Sequence, residues 1–186
     1  MRTIEINGLQ FVPYITEERL LPEIRRVAQE IEAELGDKNP LLVCILNGAF
    51  MFAADLAREL DQPYDITFAK YSSYSGLTST GELREVMAPQ VSVEGRTVVV
   101  LEDLIDSGFT LTGIEKLYLE RGANEVKVAV MLSKPLAIAK YARKPDYIGL
   151  EIPNDFIVGR GLDYDGGGRM LRDIYVLKKH DGEQEA

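Results

Sequence analysis

An alternation of buried strand and helix over residues 97–132 constrains this chain more than any other feature. Thr97–Leu101 (TVVVL) is an unbroken apolar run, Thr110–Arg121 has helical length and is closed by Gly122, and Glu125–Leu132 is apolar again. Strands this apolar are buried on both faces, and joining them through a helix argues a parallel sheet with right-handed crossovers. The same order occurs upstream. Leu41–Leu46 is a continuously apolar strand ending in the turn signal Asn47-Gly48, and Ala49–Leu60 reads as a helix. The expectation is therefore an α/β fold, a central parallel sheet flanked by helices.

The remaining segments fit around that unit. Thr3–Ile6 is a short strand, and Leu20, Leu21, Ile24, Val27, Ala28, Ile31 and Leu35 recur at helical spacing within residues 16–35, with Gly36 as the stop. Pro22 predicts either a short entry turn, with the main helix beginning near Pro22, or a kink. Asp65–Tyr71 is strand-like, and Glu82–Met87 pairs back on it as a hairpin. Between them, Ser72–Gly81 (SSYSGLTSTG) is the most polar interior stretch and reads as a mobile loop. Ala137–Tyr141 reads as a weak helix and Tyr147–Ile152 as a further strand. Phe156–Gly159 and Ile174–Leu177 are short apolar segments around Gly166-Gly167-Gly168, expected to form a small subdomain with the N-terminus.

At 186 residues the simplest reading is a single domain. The net charge of -9, with no basic stripe, disfavours wholesale binding to nucleic acid or to an anionic membrane. The one cysteine, Cys44, lies in the apolar run LLVCIL and reads as a small core residue, so no disulfide framework is possible. With no secretory hydrophobic region, that usage fits the cytoplasm. The one histidine, His180, lies in the polar tail KKHDGEQEA. One Cys and one His far apart exclude zinc sites, Cys–His nucleophiles and Ser–His–Asp triads. Chemistry must come from carboxylates, hydroxyls, Lys/Arg and a hard cation.

Such groups converge at the end of the central strand. Glu102 and Asp103 follow Leu101, Asp106 opens a turn, and Ser107, Gly108 and Thr110 offer hydroxyls and backbone N–H groups at a helix start. The carboxyl ends of parallel strands are where ligands bind in such sheets. A solvent-facing loop whose acids merely cap the helix is the bland alternative. The combination of acids with a phosphate cradle instead fits a sugar phosphate whose hydroxyls meet the acids. A GK[ST] phosphate loop does not occur, and the glycines at 166–168 lack the strand-to-helix context of a dinucleotide fingerprint.

The stretch VVVLEDLIDSGFTL resembles the phosphoribosyl diphosphate signature of type I phosphoribosyltransferases. LNGAFMFAADL, SSYSGLTSTGEL, KVAVMLSKP, PDYIGLEIPNDFIVGRGLDYD and the later Arg169 resemble the hypoxanthine-guanine branch in order and spacing, from about Leu41 to Tyr175. The resemblance implies a type I phosphoribosyltransferase fold with a core over about 16–150, a small hood from about 1–15 and 151–178, a flexible lid loop and a disordered tail over 179–186. It implies magnesium-dependent transfer of phosphoribosyl from 5-phosphoribosyl 1-diphosphate to hypoxanthine or guanine, giving IMP or GMP and pyrophosphate, in a homodimer or homotetramer. A relative preferring xanthine or another base, or a fold-sharing nucleotide-binding regulator, are the alternatives.

Residue by residue, the resemblance assigns Glu102 and Asp103 to the ribose hydroxyls and magnesium, and Asp106 to proton handling near purine N7 as the catalytic group. Ser107, Gly108, Phe109 and Thr110 wrap the 5′-phosphate. Asn47 and Gly48, in the turn that follows Leu46, form the pyrophosphate loop, where a strained peptide is often found and where the family commonly has Lys in place of Asn47. Arg169 meets the leaving group. Lys134 donates to the 6-oxo group of the base, Phe156 stacks on it, and the Ile157 carbonyl meets its edge. Asp163 stands near a second magnesium and the base edge. Ser73 and Tyr74 belong to the lid. Asn47, Phe109, Ser133 and Arg160 depart from the family pattern, the last near the base pocket.

Overall fold

The structure, a computed structural model, describes residues 2–73, 83–136, 138 and 142–178. The chain begins with a hairpin, β1 (Ile4–Ile6) and β2 (Leu9–Ile15), closed by Asn7-Gly8 with both residues at positive φ. Such a two-residue turn matches the right-handed twist of its strands. Helix α1 (Glu17–Leu35) follows, its N-terminus capped by the Thr16 hydroxyl, which accepts from the Arg19 N–H. The helix encloses Pro22 rather than starting near it. The Thr16 cap and its carbonyl, which accepts from Arg19 and Leu20, start the helix one turn early. Leu20, Ile24, Val27, Ala28, Ile31 and Leu35 form its buried face.

The central sheet comprises β3 (Leu41–Ile45), β4 (Ile66–Ser73), β5 (Leu83–Met87), β6 (Thr97–Ile105), β7 (Glu125–Ser133) and β8 (Tyr147–Glu151), in the spatial order β5-β4-β3-β6-β7-β8. Only β5 is antiparallel to its neighbour. Helix α2 (Phe50–Glu59) links β3 to β4, and α3 (Phe109–Glu120) links β6 to β7. Alternate strand residues serve opposite faces. Leu42, Cys44, Val99 and Leu101 pack with α1 and α2. Leu41, Val43, Val98 and Val100 pack with Leu111, Ile114 and Tyr118 of α3. Each large side chain so buried contributes about 1.5–3 kcal/mol relative to exposure.

This topology creates a reversal point. From β3 the chain crosses to β4 on one side, and from β6 it crosses to β7 on the other, so the connections diverge from the adjacent ends of β3 and β6. Divergence opens a crevice there, the general ligand position of open α/β sheets.

A second sheet, in the order β1-β2-β10-β9, is made from the N-terminal hairpin, β9 (Ile157–Val158) and β10 (Ile174–Leu177). It encloses a separate small core of Phe11, Val158 and Tyr175. Two expectations need adjusting. β6 runs to Ile105, so Glu102 and Asp103 lie within the strand and not after it, because pairing with β7 continues to Ile105 opposite Ser133. Ser72 and Ser73 belong to β4, held by pairing with β5, and the rest of the expected mobile loop lies outside the described residues. The strand β2 carried no expectation. The tail with His180, and four of the five residues expected as a weak helix at 137–141, lie outside the described residues.

Candidate active site

The reversal point holds a cleft of about 270 Å³, lined by Ile45–Gly48 from the end of β3, Tyr71 from β4, and Glu102, Leu104–Gly108, Thr110 and Leu111 from β6 and α3. Asn47, Gly48, Glu102, Asp106, Ser107, Gly108 and Thr110 are thus brought to one cavity from two distant stretches. The Leu46–Asn47 peptide bond is cis.

The floor of the cleft is acidic. Alternation along β6 shifts by one residue between Leu101 and Leu104, both of which pack on the α1/α2 side, and the two acids occupy that shift. Burial, then the neighbouring Asp103 charge, pushes the Glu102 carboxyl well above the usual carboxylate range. Burial also raises Asp103, against hydrogen bonds from Glu102 and from the Leu104 N–H at 3.0 Å and a weaker pull from Arg169. Two such carboxyls side by side, each raised by burial, form a configuration suited to an incoming cation.

The far wall is built for an anion. Gly108 begins α3 in the left-handed region, φ 79, and no side chain caps the helix. The first-turn N–H groups therefore face the cleft without an intrahelical partner, together with the exposed Ser107 and Thr110. A Cβ on Gly108 would meet Ala142 Cβ and the Arg143 carbonyl, both at 2.9 Å, so the turn needs glycine on two grounds. Phe109 points away, 62% exposed, and contributes only its backbone.

Asp106 is exposed beside a buried lysine: Lys134 Nζ stands 4.0 Å from Asp106 Oδ2, and the Lys134 N–H donates to the Ile105 carbonyl. β6 and β7 end side by side, which brings these two residues together across 28 positions of sequence. The hood supplies the opposite margin. Arg169 Nη2 pairs with Asp163 Oδ1 at 2.5 Å, Arg169 Nη1 donates to the Gly161 carbonyl at 2.6 Å, and Asp163 Oδ2 accepts from the Gly166 N–H. Gly161, at φ 102, lies so close to the β3 turn that a Cβ would sit 1.9 Å from the Gly48 carbonyl oxygen. Gly48 in turn lies against Asp103, where a Cβ would come within 1.8 Å of Oδ2.

Asp103, Lys134, Phe156, Ile157, Arg160, Asp163 and Arg169 do not line the cleft itself. Phe156 is 45% exposed and packs with Phe11 and Tyr164 in the hood, with ring centroids 6.2 and 5.7 Å away, and Ile157 is buried in β9. Arg160 is buried in ion pairs with Asp55 and Glu17. Its guanidinium is drawn inward by carboxylates that α1 and α2 bring together. Ser73 ends β4, and Tyr74 lies outside the described residues. Two neighbours escaped the sequence reading. Tyr71 lines the cleft, its hydroxyl hydrogen-bonded to Glu85 and Tyr118; Lys70 Nζ donates to Asn47 Oδ1 at 3.4 Å. Neither carried a sequence signal: β4 places them by running parallel beside the end of β3, with Ala69 opposite Ile45.

Residues 15–165 match the sequence profile of the phosphoribosyl transferase domain. The hypoxanthine-guanine phosphoribosyltransferase of Bacillus subtilis is 38% identical over 88% of this chain and 91% of its own length. The bifunctional protein TilS/HprT of Listeria innocua is 41% identical over 92% of this chain, which spans only 26% of that longer protein. Among solved structures, the hypoxanthine phosphoribosyl transferase of Trypanosoma cruzi superposes with a TM-score of 0.84 at 35% identity, covering 94% of this chain and 95% of that one. The matched region holds both the acidic strand end and the uncapped helix start, and the chain belongs to the phosphoribosyltransferase family, among the hypoxanthine-guanine phosphoribosyltransferases.

Proposed function

We propose that this protein transfers phosphoribosyl from 5-phosphoribosyl 1-diphosphate to hypoxanthine or guanine, releasing pyrophosphate and IMP or GMP, with magnesium as cofactor. One observation carries the reading: the acidic end of β6 and the uncapped start of α3 face one cleft, with Lys134 Nζ 4.0 Å from Asp106 Oδ2 at its edge.

The donor set fits magnesium. Glu102 and Asp103 offer hard oxygens in a place short of positive charge, and Asp163 offers another at the hood. Among the described residues no three acidic, His or Cys side chains form a closed cluster, which suits an ion that keeps waters and substrate oxygens. When bound, the ion offsets the diphosphate charge and so improves the leaving group.

The residues of the chain do the rest. The first-turn amides of α3, with Ser107 and Thr110, hold the 5′-phosphate. Glu102 and Asp103 orient the ribose hydroxyls. Asn47, Gly48 and Arg169 hold the pyrophosphate, Arg169 through charge-assisted bonds. Lys134 donates to a 6-oxo group, and a donor there rejects adenine, whose 6-amino group also donates. Phe156 stacks on the base, the Ile157 carbonyl accepts at its edge, and Asp106 takes up or returns the proton at N7. Ser73 and Tyr74 exclude water from the activated sugar carbon.

The whole chain acts as one domain, the second sheet serving as a hood over the core. Its setting is the cytoplasm, a reading in keeping with a single buried, free cysteine. Phe68 on β4 and Val86 on β5, 43% and 55% exposed beside the sheet edge, favour a homodimer or homotetramer. Incubating the protein with magnesium, phosphoribosyl diphosphate and hypoxanthine, guanine, xanthine or adenine in turn tests the reading. Nucleotide from hypoxanthine and guanine is expected; product from adenine alone overturns the role of Lys134.

A further inference from the structure

Arg160 is 1% exposed and stands among the largest fully buried side chains of the protein. A guanidinium cannot remain charged in such a place unless its donors are met. Here they are met from three directions. Nε and Nη2 both donate to Asp55 Oδ2, at 3.0 and 2.6 Å, and Nη1 donates to Glu17 Oε1 at 3.1 Å and to the Arg172 carbonyl at 2.7 Å. Asp55 belongs to α2, Glu17 opens α1, and Arg172 lies on the return segment of the hood loop. Apolar packing would fill the same volume without a desolvation cost, so what the ion adds is orientation.

That orientation is passed to the cleft. The Arg160 N–H donates to the Leu171 carbonyl and the Gly161 N–H to the Arg169 carbonyl, while the Arg169 side chain donates back to the Gly161 carbonyl. Gly161 is pressed against Gly48 of the β3 turn. That turn leads straight into α2, through Ala49 N–H to Ile45 carbonyl and Ala53 N–H to Ala49 carbonyl bonds, so α2 and the turn form one body. Arg160 therefore joins the body bearing Asn47 and Gly48 to the loop bearing Arg169 and Asp163.

We propose that Arg160 is a positioning residue for the leaving-group end of the site: by tying the hood loop to Asp55 and Glu17, it sets the spacing between the Leu46–Gly48 turn and the Arg169–Asp163 pair. It touches no substrate and acts through Gly161 and Arg169. The inference rests on the reading that this turn and Arg169 hold the pyrophosphate.

Steady-state kinetics of Arg160→Met, Arg160→Lys and Arg169→Ala, alone and combined, test it, with circular dichroism to select folded protein. Arg160→Met should raise KM for phosphoribosyl diphosphate about tenfold, as a displaced positioning group does, and leave KM for the base within about twofold. Arg160→Lys should recover part of the loss, and Arg160→Met should add little in the Arg169→Ala background. Equal changes in both KM values, or full additivity with Arg169→Ala, overturn the proposal. If Arg169→Ala leaves KM for phosphoribosyl diphosphate unchanged, the leaving-group reading fails and this inference with it. If Arg169→Ala raises that KM and Arg160→Met does not, only the inference fails. Should Arg160→Met not fold, Glu17→Gln weakens one bond of the same set; a rise of about threefold in the same KM supports the proposal, and no change overturns it.

Discussion

The α3 margin of the cleft and the hood margin beside it are built in opposite ways. The α3 margin is local: Asp106–Leu111 supplies a glycine turn, two hydroxyls and free helix N–H groups from one short run of chain. The hood margin is assembled from afar, with Gly48, Asp103, Gly161, Asp163 and Arg169 meeting only because two sheets are pressed together. A local cradle depends on backbone conformation; an assembled clamp depends on contact distances. Damage should therefore spread differently through the two.

Gly161→Ala should have the largest effect. Its Cβ would overlap the Gly48 carbonyl at a residue already at φ 102, and a loss of about 4 kcal/mol in urea denaturation is expected, as for other severe steric or strain lesions. Gly108→Ala meets its neighbours at 2.9 Å and should cost about 1–2 kcal/mol, chiefly through positive-φ strain. If Gly108→Ala proves the more damaging, the contrast between the margins is reversed.

Asp106→Asn leaves both margins in place and should lower turnover about 100-fold, the usual scale for a general acid–base group, with KM for phosphoribosyl diphosphate little changed. Unchanged turnover in a stopped assay removes Asp106 from proton handling. Arg169→Ala should raise KM for phosphoribosyl diphosphate about thirtyfold through loss of a charge-assisted contact, and Thr110→Val only about fivefold, because neighbouring amides remain. Comparable effects of the two substitutions would mean that the cradle and the clamp share the load evenly.

The smallest effects lie beneath the cleft. Ser133 Oγ is buried with no partner among the described residues, so Ser133→Ala should stabilise the fold by about 1 kcal/mol in thermal denaturation. Burial pushes the Cys44 thiol up to about 12, with smaller contributions from Glu102 and Asp103. The folded protein then keeps its thiol proton where the unfolded chain loses it. The stability this confers is complete below the ordinary thiol value of 9.0 and falls as pH rises toward 12. Alkylation of native protein at pH 8 should be undetectable until denaturant is added; rapid labelling would show an open path beneath the acidic floor.

Much of the local margin was legible in residues 97–113, since a strand, a glycine turn and a helix start are all encoded in neighbours. The hood hairpin was also within reach: Asn7-Gly8 between apolar residues is a strong two-residue turn signal, yet β2 passed unrecognised because Pro13 lies in the strand and weakens its pattern. Continuation of β6 through Glu102 and Asp103 was not legible. Carboxylates rarely extend a buried strand, and only the matching length of β7 carries the ladder past them. The ion pairs of Arg160 were not legible for the same kind of reason, as its carboxylate partners lie 105 and 143 residues away.

By itself the sequence determined the order of strands and helices in the central sheet, its parallel pairing and the contiguous glycine turn and helix start after β6, because periodicity and turn chemistry act between residues a few positions apart. Only the tertiary structure decided the rest: where the crossovers diverge to open the cleft, which lysine stands beside Asp106, and how a buried arginine ties the hood to the core. Those are distances between segments far apart in sequence, set by the packing of the two sheets with α1, α2 and α3.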